Sequence, residues 1–219
     1  MKKWTDRIES SIQAELICYD VNGIQIVFGV TEENELKLFH FSRAPFDAEN
    51  LCRKPDNWWP MEGMREAQIK ESFQLVQVNF SGYNRPYEKH GNKYIVTAPG
   101  FMLKFDSISE ERDENGDVLR IVQKDGVTGA KVESVMQFYD GLSIARVYNT
   151  VTNEGNEDQT LEYISSFSYW GIEKEQKEGI PEFISSDDKM SMVVVHNGWQ
   201  KELTVKTVSY THLRAHETE

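Results

Sequence analysis

Cysteine is scarce: Cys18 and Cys52 are the only two in 219 residues, they lie in segments of different character, and they show no metal-ligand spacing. A disulfide-stapled secreted scaffold and a zinc module are disfavoured on that ground, and reduced thiols in a cytoplasmic protein are expected. Long apolar runs are missing too. The densest, Met192-Val193-Val194-Val195, is strand-sized, far short of the roughly 18 residues a membrane-spanning helix needs. Met1-Lys2-Lys3 has the basic opening of an export signal, but Asp6, Arg7 and Glu9 interrupt any apolar segment behind it, so no signal peptide is expected. Basic excess is absent as well: 24 Lys+Arg stand against 36 Asp+Glu, a net charge of -12. Such a surface repels phosphate backbones and anionic lipid, which disfavours nucleic acid and membranes as partners.

Helix-period segments are also nearly absent, and Glu173 to Glu178 is the one plausible short helix. What is present is period two, in a chain whose 39% hydrophobic and 11% aromatic content is enough to bury a core. Ile12 to Tyr19 places Ile12, Ala14, Leu16 and Cys18 on one face, and Asp20-Val21-Asn22-Gly23 turns it into Ile24 to Val30. Glu35 to Phe41 makes a third strand. Ser42 to Met64 then breaks the pattern with Pro45, Pro55, Pro60, Gly63 and the pair Trp58-Trp59, too long and aromatic for a passive connection. Strand pattern resumes at Phe73 to Val78 and at Lys93 to Thr97. Phe101 to Ile108 and Val118 to Gln123 flank Asp113-Glu114-Asn115-Gly116-Asp117, a hairpin turn with Asn-Gly at its tip. A meander follows: Val132 to Tyr139, Leu142 to Thr150 and Thr160 to Phe167, joined at Asp140-Gly141 and Asn153-Glu154-Gly155-Asn156. With no internal repeat, the expected fold is all-β, a large antiparallel β-sandwich.

The last residues, Val208 to Thr218, resemble a translated transposon-end sequencing adapter, which codons for these residues can reproduce in frame. Residues 208–219 are therefore expected to be non-native and are set aside. His212 and His216, spaced four apart like two zinc ligands on a helix, go with them. No metal and no cofactor is expected.

Few other side chains carry a chemical signal. His40, His90 and His196 are far apart in sequence, and each alone is an ordinary strand or loop histidine first and a catalyst second. With 36 carboxylates, picking a glycosidase-like acid pair by eye is arbitrary. Trp58, Trp59, Trp170 and Trp199 offer flat faces for sugar rings, though core packing is tryptophan's default, and Trp58-Trp59 stands out by its place in the long loop. Gly126-Val127-Thr128-Gly129 lacks the Lys and following Ser/Thr of a phosphate loop and reads as a turn.

Four segments in order resemble glycoside hydrolase family 36, the α-galactosidase family. Phe80-Ser81-Gly82-Tyr83-Asn84-Arg85-Pro86 is similar to a family stretch running from glycine through an aromatic to arginine, with Gly82 where an acidic residue is usual and Asn84 inserted before Arg85. Gln137 to Leu142 with Arg146 to Gly155 resembles its long hairpin. Leu161 to Ser166 is similar to a strand ending in serines, and Asn197-Gly198-Trp199-Gln200-Lys201-Glu202 to an Asn-x-Trp-x-x-Glu signature.

The resemblance implies a mutarotase-like β-supersandwich over residues 1–207, incomplete at its C-terminal end, ahead of a (β/α)₈ barrel that carries two catalytic aspartates. One aspartate would attack the anomeric carbon and the other protonate the leaving oxygen, a retaining hydrolysis of terminal α-linked galactose. No catalytic residue is then expected in this chain, because a barrel takes about 200 residues or more. Trp58, Trp59, Arg85 and Trp199 are the candidates for substrate-adjacent or interface roles. The implied partners are α-galactoside oligosaccharides and further copies of the enzyme, since many members are tetramers in which an N-terminal loop shapes a neighbour's active site. Two other readings stay open: a stand-alone sugar-binding or assembly sandwich, and a mutarotase-like epimerase using His90 or His196 with a carboxylate.

Overall fold

The computed structural model describes residues 1–9, 13–46, 48, 73–83 and 102–169, with the strands 192–198 and 201–207. The chain divides into two compact units, Met1–Gly171 and Ile172–Glu219. In the second unit, β11 (Met192–Gly198) and β12 (Lys201–Thr207) form an antiparallel hairpin with Met192 opposite Thr207. In the first, the described elements are all strands, and the architecture is the expected antiparallel sandwich.

One layer begins with β1 (Lys2–Glu9), β2 (Gln13–Val21), β3 (Ile24–Thr31) and β4 (Leu36–Ser42), paired in that order. The β2–β3 turn forms as its sequence predicts: Asn22 and Gly23 both take positive φ, 54° and 79°, and Asp20 Oδ1 accepts from Gly23 N at 3.2 Å. That double left-handed geometry matches the twist of the flanking strands. β1 is a strand the sequence reading missed. Its alternation is masked because only Ile8 of its apolar residues is buried, while Lys2, Lys3, Asp6 and Arg7 are exposed.

The layer continues past β4 through a bridge from Lys37 to Gln74 and a bond from Leu38 N to Phe73 O at 2.6 Å. The strand expected at Phe73–Val78 is thus reduced to that bridge, and regular pairing starts at β5 (Val78–Phe80), which pairs with β10 (Leu161–Ile164).

The second layer is β6 (Lys104–Arg112), β7 (Asp117–Lys124), β8 (Ala130–Phe138) and β9 (Ala145–Asn153), in sequential order. The predicted β6–β7 turn is held by Asp113 Oδ1, which accepts from Asn115 N at 2.8 Å and Gly116 N at 3.0 Å. Two details of the expected meander are corrected. β9 starts at Ala145 rather than Leu142, because residues 142–143 are tied instead to the β2–β3 turn: Asn22 Nδ2 donates to Leu142 O and Ser143 Oγ donates to Asn22 O. The strand after β9 does not extend the meander either. β10 crosses to the opposite layer and joins β5, a choice to which strand periodicity is blind, since period two reads the same in either sheet.

The core lies between the layers. Tyr19, Ile26, Phe28, Leu38 and Leu75 from one side meet Leu119, Ile121, Met136 and Phe138 from the other, all fully buried. At about 1.5 to 3 kcal/mol per buried large apolar side chain, this contact dominates the favourable side of folding. The face expected for β2 is also formed: Ala14, Leu16 and Cys18 pack with Val27 and Phe39 on the far side of the first layer, while Ile12 lies outside the described residues. That layer is therefore buried on both faces. A third cluster of Val76, Val78, Phe80, Leu103, Ala130 and Val132 fills the end near β5 and β10.

Polar links close the corners. Asn34 Nδ2 donates to Phe105 O at 2.7 Å and Phe105 N to Asn34 O at 2.8 Å, while Lys3 Nζ and Tyr19 OH both donate to Glu110 Oε1.

Candidate functional site

Phe80 to Tyr83, the front of the first segment of family resemblance, is the part of it the structure describes. It forms a sharp reversal directly after β5. Ser81 N donates to Thr160 O at 2.9 Å, Tyr83 N to Phe80 O at 3.2 Å, and Gly82 takes φ of 87°, a left-handed conformation that glycine adopts without penalty. The apolar side of this rim, Phe80, is buried.

Its polar side meets β10. Ser81 Oγ donates to Glu162 Oε1 at 2.7 Å and Asn79 Nδ2 to Glu162 Oε2 at 2.8 Å. Both oxygens of one carboxylate thereby accept from neutral donors, which positions the Glu162 side chain. Asn79 Oδ1 is buried and accepts no bond. Below the rim lies a groove of about 130 Å³ lined by Phe80, Ala130, Val151, Asn153, Gln159 and Leu161. Ligand pockets typically span about 300 to 1,000 Å³, so this one is too small to enclose a sugar. What the rim offers is a fixed carboxylate and amide beside an apolar floor.

A second polar constellation sits at the start of β4. Glu35 takes Lys37 Nζ on Oε2 at 3.1 Å and Lys104 Nζ on Oε1 at 3.2 Å. Burial holds the Lys37 ammonium below the ordinary lysine range, partly offset by the Glu35 charge. The triad joins β4 to β6 across the sandwich.

Of the residues singled out by sequence, Trp58, Trp59, Arg85 and Trp199 lie outside the described residues, as do His90, Trp170, the Glu173–Glu178 segment, the Lys93–Thr97 strand and the tail histidines. His196 falls on β11, opposite Leu203. His40 is engaged locally: its Nε2 lies 2.7 Å from Ala44 O and its ring tilts against Phe46. Gly126–Gly129 is the turn expected, organised by Asp125, which accepts from Val127 N and from Thr128 N and Oγ1. Among the described residues no group of three or more His, Cys, Asp or Glu side chains is arranged to hold a metal ion, and no helix is long and apolar enough to cross a membrane. Glu162 escaped the sequence reading because nothing local marks it: Asn79 and Ser81 become its neighbours through the crossover of β10. Comparison with protein-family models, with curated proteins and with solved structures finds no match.

Proposed function

We propose that this chain is the non-catalytic sandwich portion of an α-galactosidase of the family 36 type, an enzyme that removes terminal α-linked galactose from oligosaccharides with retention. The observation that carries the reading is the β8–β9 hairpin. The segments Gln137–Leu142 and Arg146–Gly155, which resemble the family's long hairpin, lie on two adjacent strands and their turn within a two-layer antiparallel sandwich. In this reading the nucleophile and acid are aspartates of a barrel encoded beyond the sandwich. Trp58, Trp59, Arg85 and Trp199 serve substrate access or subunit contact, and the whole enzyme assembles as a homo-oligomer.

The test uses a nitrophenyl α-galactoside with two proteins: the 219-residue chain and the product of the uninterrupted reading frame. Turnover by the longer protein alone is the expected result. Hydrolysis by the 219-residue chain, or a longer protein inert toward α-galactosides, overturns the reading. Within an active longer protein, alanine at Trp58, Trp59, Arg85 and Trp199 is expected to lower turnover or disrupt assembly. Unchanged turnover and assembly would remove those four from the site.

A further inference from the structure

Asn-Gly occurs three times in the chain, at 22–23, 115–116 and 197–198. In such a pair the glycine nitrogen, unshielded by any side chain of its own, reaches the asparagine amide carbon through a five-membered ring. Whether the ring closes depends on what holds the two amides, and the two Asn-Gly turns of the sandwich hold them differently. At the β2–β3 turn the asparagine amide is locked: Asn22 Nδ2 donates to Tyr139 O at 2.7 Å and to Leu142 O at 3.0 Å. Ring closure there must first break the corner between the layers. At the β6–β7 turn Asn115 is exposed, and its side-chain amide interacts with the Asp113 carboxylate. The same carboxylate accepts from Gly116 N at 3.0 Å through Oδ1. One acid group therefore touches both the nitrogen that attacks and the nitrogen that leaves. Asp20 Oδ1 accepts from Gly23 N at 3.2 Å in a similar way, but the Asn22 amide is engaged with Tyr139 and Leu142 instead.

We propose that Asn115 is a site of self-modification, at which Asp113 carries the proton that converts the Asn115–Gly116 step to a succinimide and then to an isoaspartyl or aspartyl linkage. Gly116 N bonds to Asn115 Cγ while its proton passes to Asp113. Asp113 returns a proton to Nδ2, the Cγ–Nδ2 bond breaks and ammonia leaves. Water then opens the ring at either carbonyl, leaving a carboxylate where a neutral amide stood, and ammonia takes up the proton released. A carboxylate within hydrogen-bond distance of the proton it moves meets the geometric condition for a general base. The consequence is local and one-way. Asn115 O accepts from Asp140 N at 2.9 Å, and an isoaspartyl linkage takes that carbonyl out of the main chain and adds one backbone atom to a tight turn. The new carboxylate also joins Asp117 and Asp140, which already share the Arg112 guanidinium. The β6–β7 turn is thereby expected to loosen with age while the β2–β3 corner persists.

Peptide mass mapping of the folded 219-residue chain after incubation at neutral pH, with enzymatic labelling of isoaspartate, tests the proposal. The expected result is conversion at Asn115 about tenfold or more faster than at Asn22. Asp113→Asn keeps a side-chain oxygen to cap the turn but takes up no proton, and is expected to slow conversion at Asn115 about tenfold while leaving Asn22 unchanged. Should that variant fail to fold, the parent chain still decides: conversion at Asn115 is expected to be at least as fast in the folded chain as in the same chain unfolded in guanidinium chloride, whereas a turn that merely shields the pair makes it slower. Equal rates at Asn22 and Asn115, a folded Asp113→Asn variant that converts as fast as the parent, or slower conversion at Asn115 in the folded chain overturns the proposal.

Discussion

Glu35 and Lys37 lie on the same face of one strand entry with Oε2 3.1 Å from Nζ, and only 13% and 3% of their side chains reach solvent. An ion pair so enclosed is asymmetric in its response to mutation. Removing Glu35 strands the Lys37 ammonium in a low-dielectric site, whereas removing Lys37 leaves Glu35 still paired with Lys104 at 3.2 Å. Glu35→Gln is therefore expected to destabilise the fold by about 3 kcal/mol, and Lys37→Met to cost less, both read from urea unfolding. Equal losses from the two variants would show that Lys104 does not hold the Glu35 charge once Lys37 is gone.

The same lysine has a pH signature. Burial lowers its folded pKa below 10.5, so the unfolded chain binds the proton more tightly, and the burden that Lys37 places on stability eases as pH rises through the folded pKa toward 10.5. Cys18 and Tyr19 act in the opposite direction. Burial pushes the Cys18 thiol from 9.0 up to about 11, with the Asp6 charge adding to it, and the Tyr19 phenol from 10.0 up to about 12. Their contribution is complete below pH 9 and is lost between pH 9 and 12, as the unfolded chain ionises first. In a Lys37→Met background the alkaline loss is expected to be steeper than in the parent, and Cys18→Ala should flatten its portion between pH 9 and 11. Urea midpoints across that range check both. Labelling by a thiol reagent at pH 8, followed by peptide mass spectrometry, should find Cys18 unreactive until the chain unfolds.

Gly116 ends the β6–β7 turn at φ of 150°, and a Cβ built there would lie 2.4 Å from Phe138 O. No side-chain rotation relieves a clash with a backbone carbonyl. Gly116→Ala is expected to cost about 2 to 3 kcal/mol, while Gly126→Ala, where nothing lies within 4 Å, should be close to neutral. Thermal unfolding of the two variants side by side gives the comparison, and a mild Gly116→Ala would mean that the turn opens away from β8.

These cases mark which features could be read in the sequence. Hairpins with a local chemical cause were legible: Asn22-Gly23 takes the two positive φ angles of its turn, Asp113 and Gly116 hold the β6–β7 turn where Asn115 keeps an ordinary φ, and alternation marks β2, β3, β7 and β8. Features decided by distant partners were not. β1 hides its strand character behind the charges that guard its edge, and β10 shows the same alternation whichever layer it joins. The Asn79–Ser81–Glu162 rim depends on that crossover, so its members carry no shared local signal. The candidate aromatic loop and Arg85 came from composition and from family resemblance, and neither source supplies coordinates for a site.

Asn22 offers the cleanest measure of what ties the two layers together. Its Nδ2 donates to Tyr139 O at 2.7 Å and to Leu142 O at 3.0 Å, and its own carbonyl accepts from Ser143 Oγ at 2.7 Å. Its φ of 54° is one that glycine takes freely and alanine does not. Asn22→Gly therefore deletes the side-chain bonds without backbone strain and is expected to cost about 1 to 2 kcal/mol. Asn22→Ala should cost about 1 kcal/mol more, the left-handed penalty of a β-carbon. Ser143→Ala combined with Asn22→Gly should lose less than the two singles summed, because both act on the same corner. A neutral Asn22→Gly would show that the apolar core alone holds the β2–β3 turn against residues 139–143, and that the hydrogen bonds only follow.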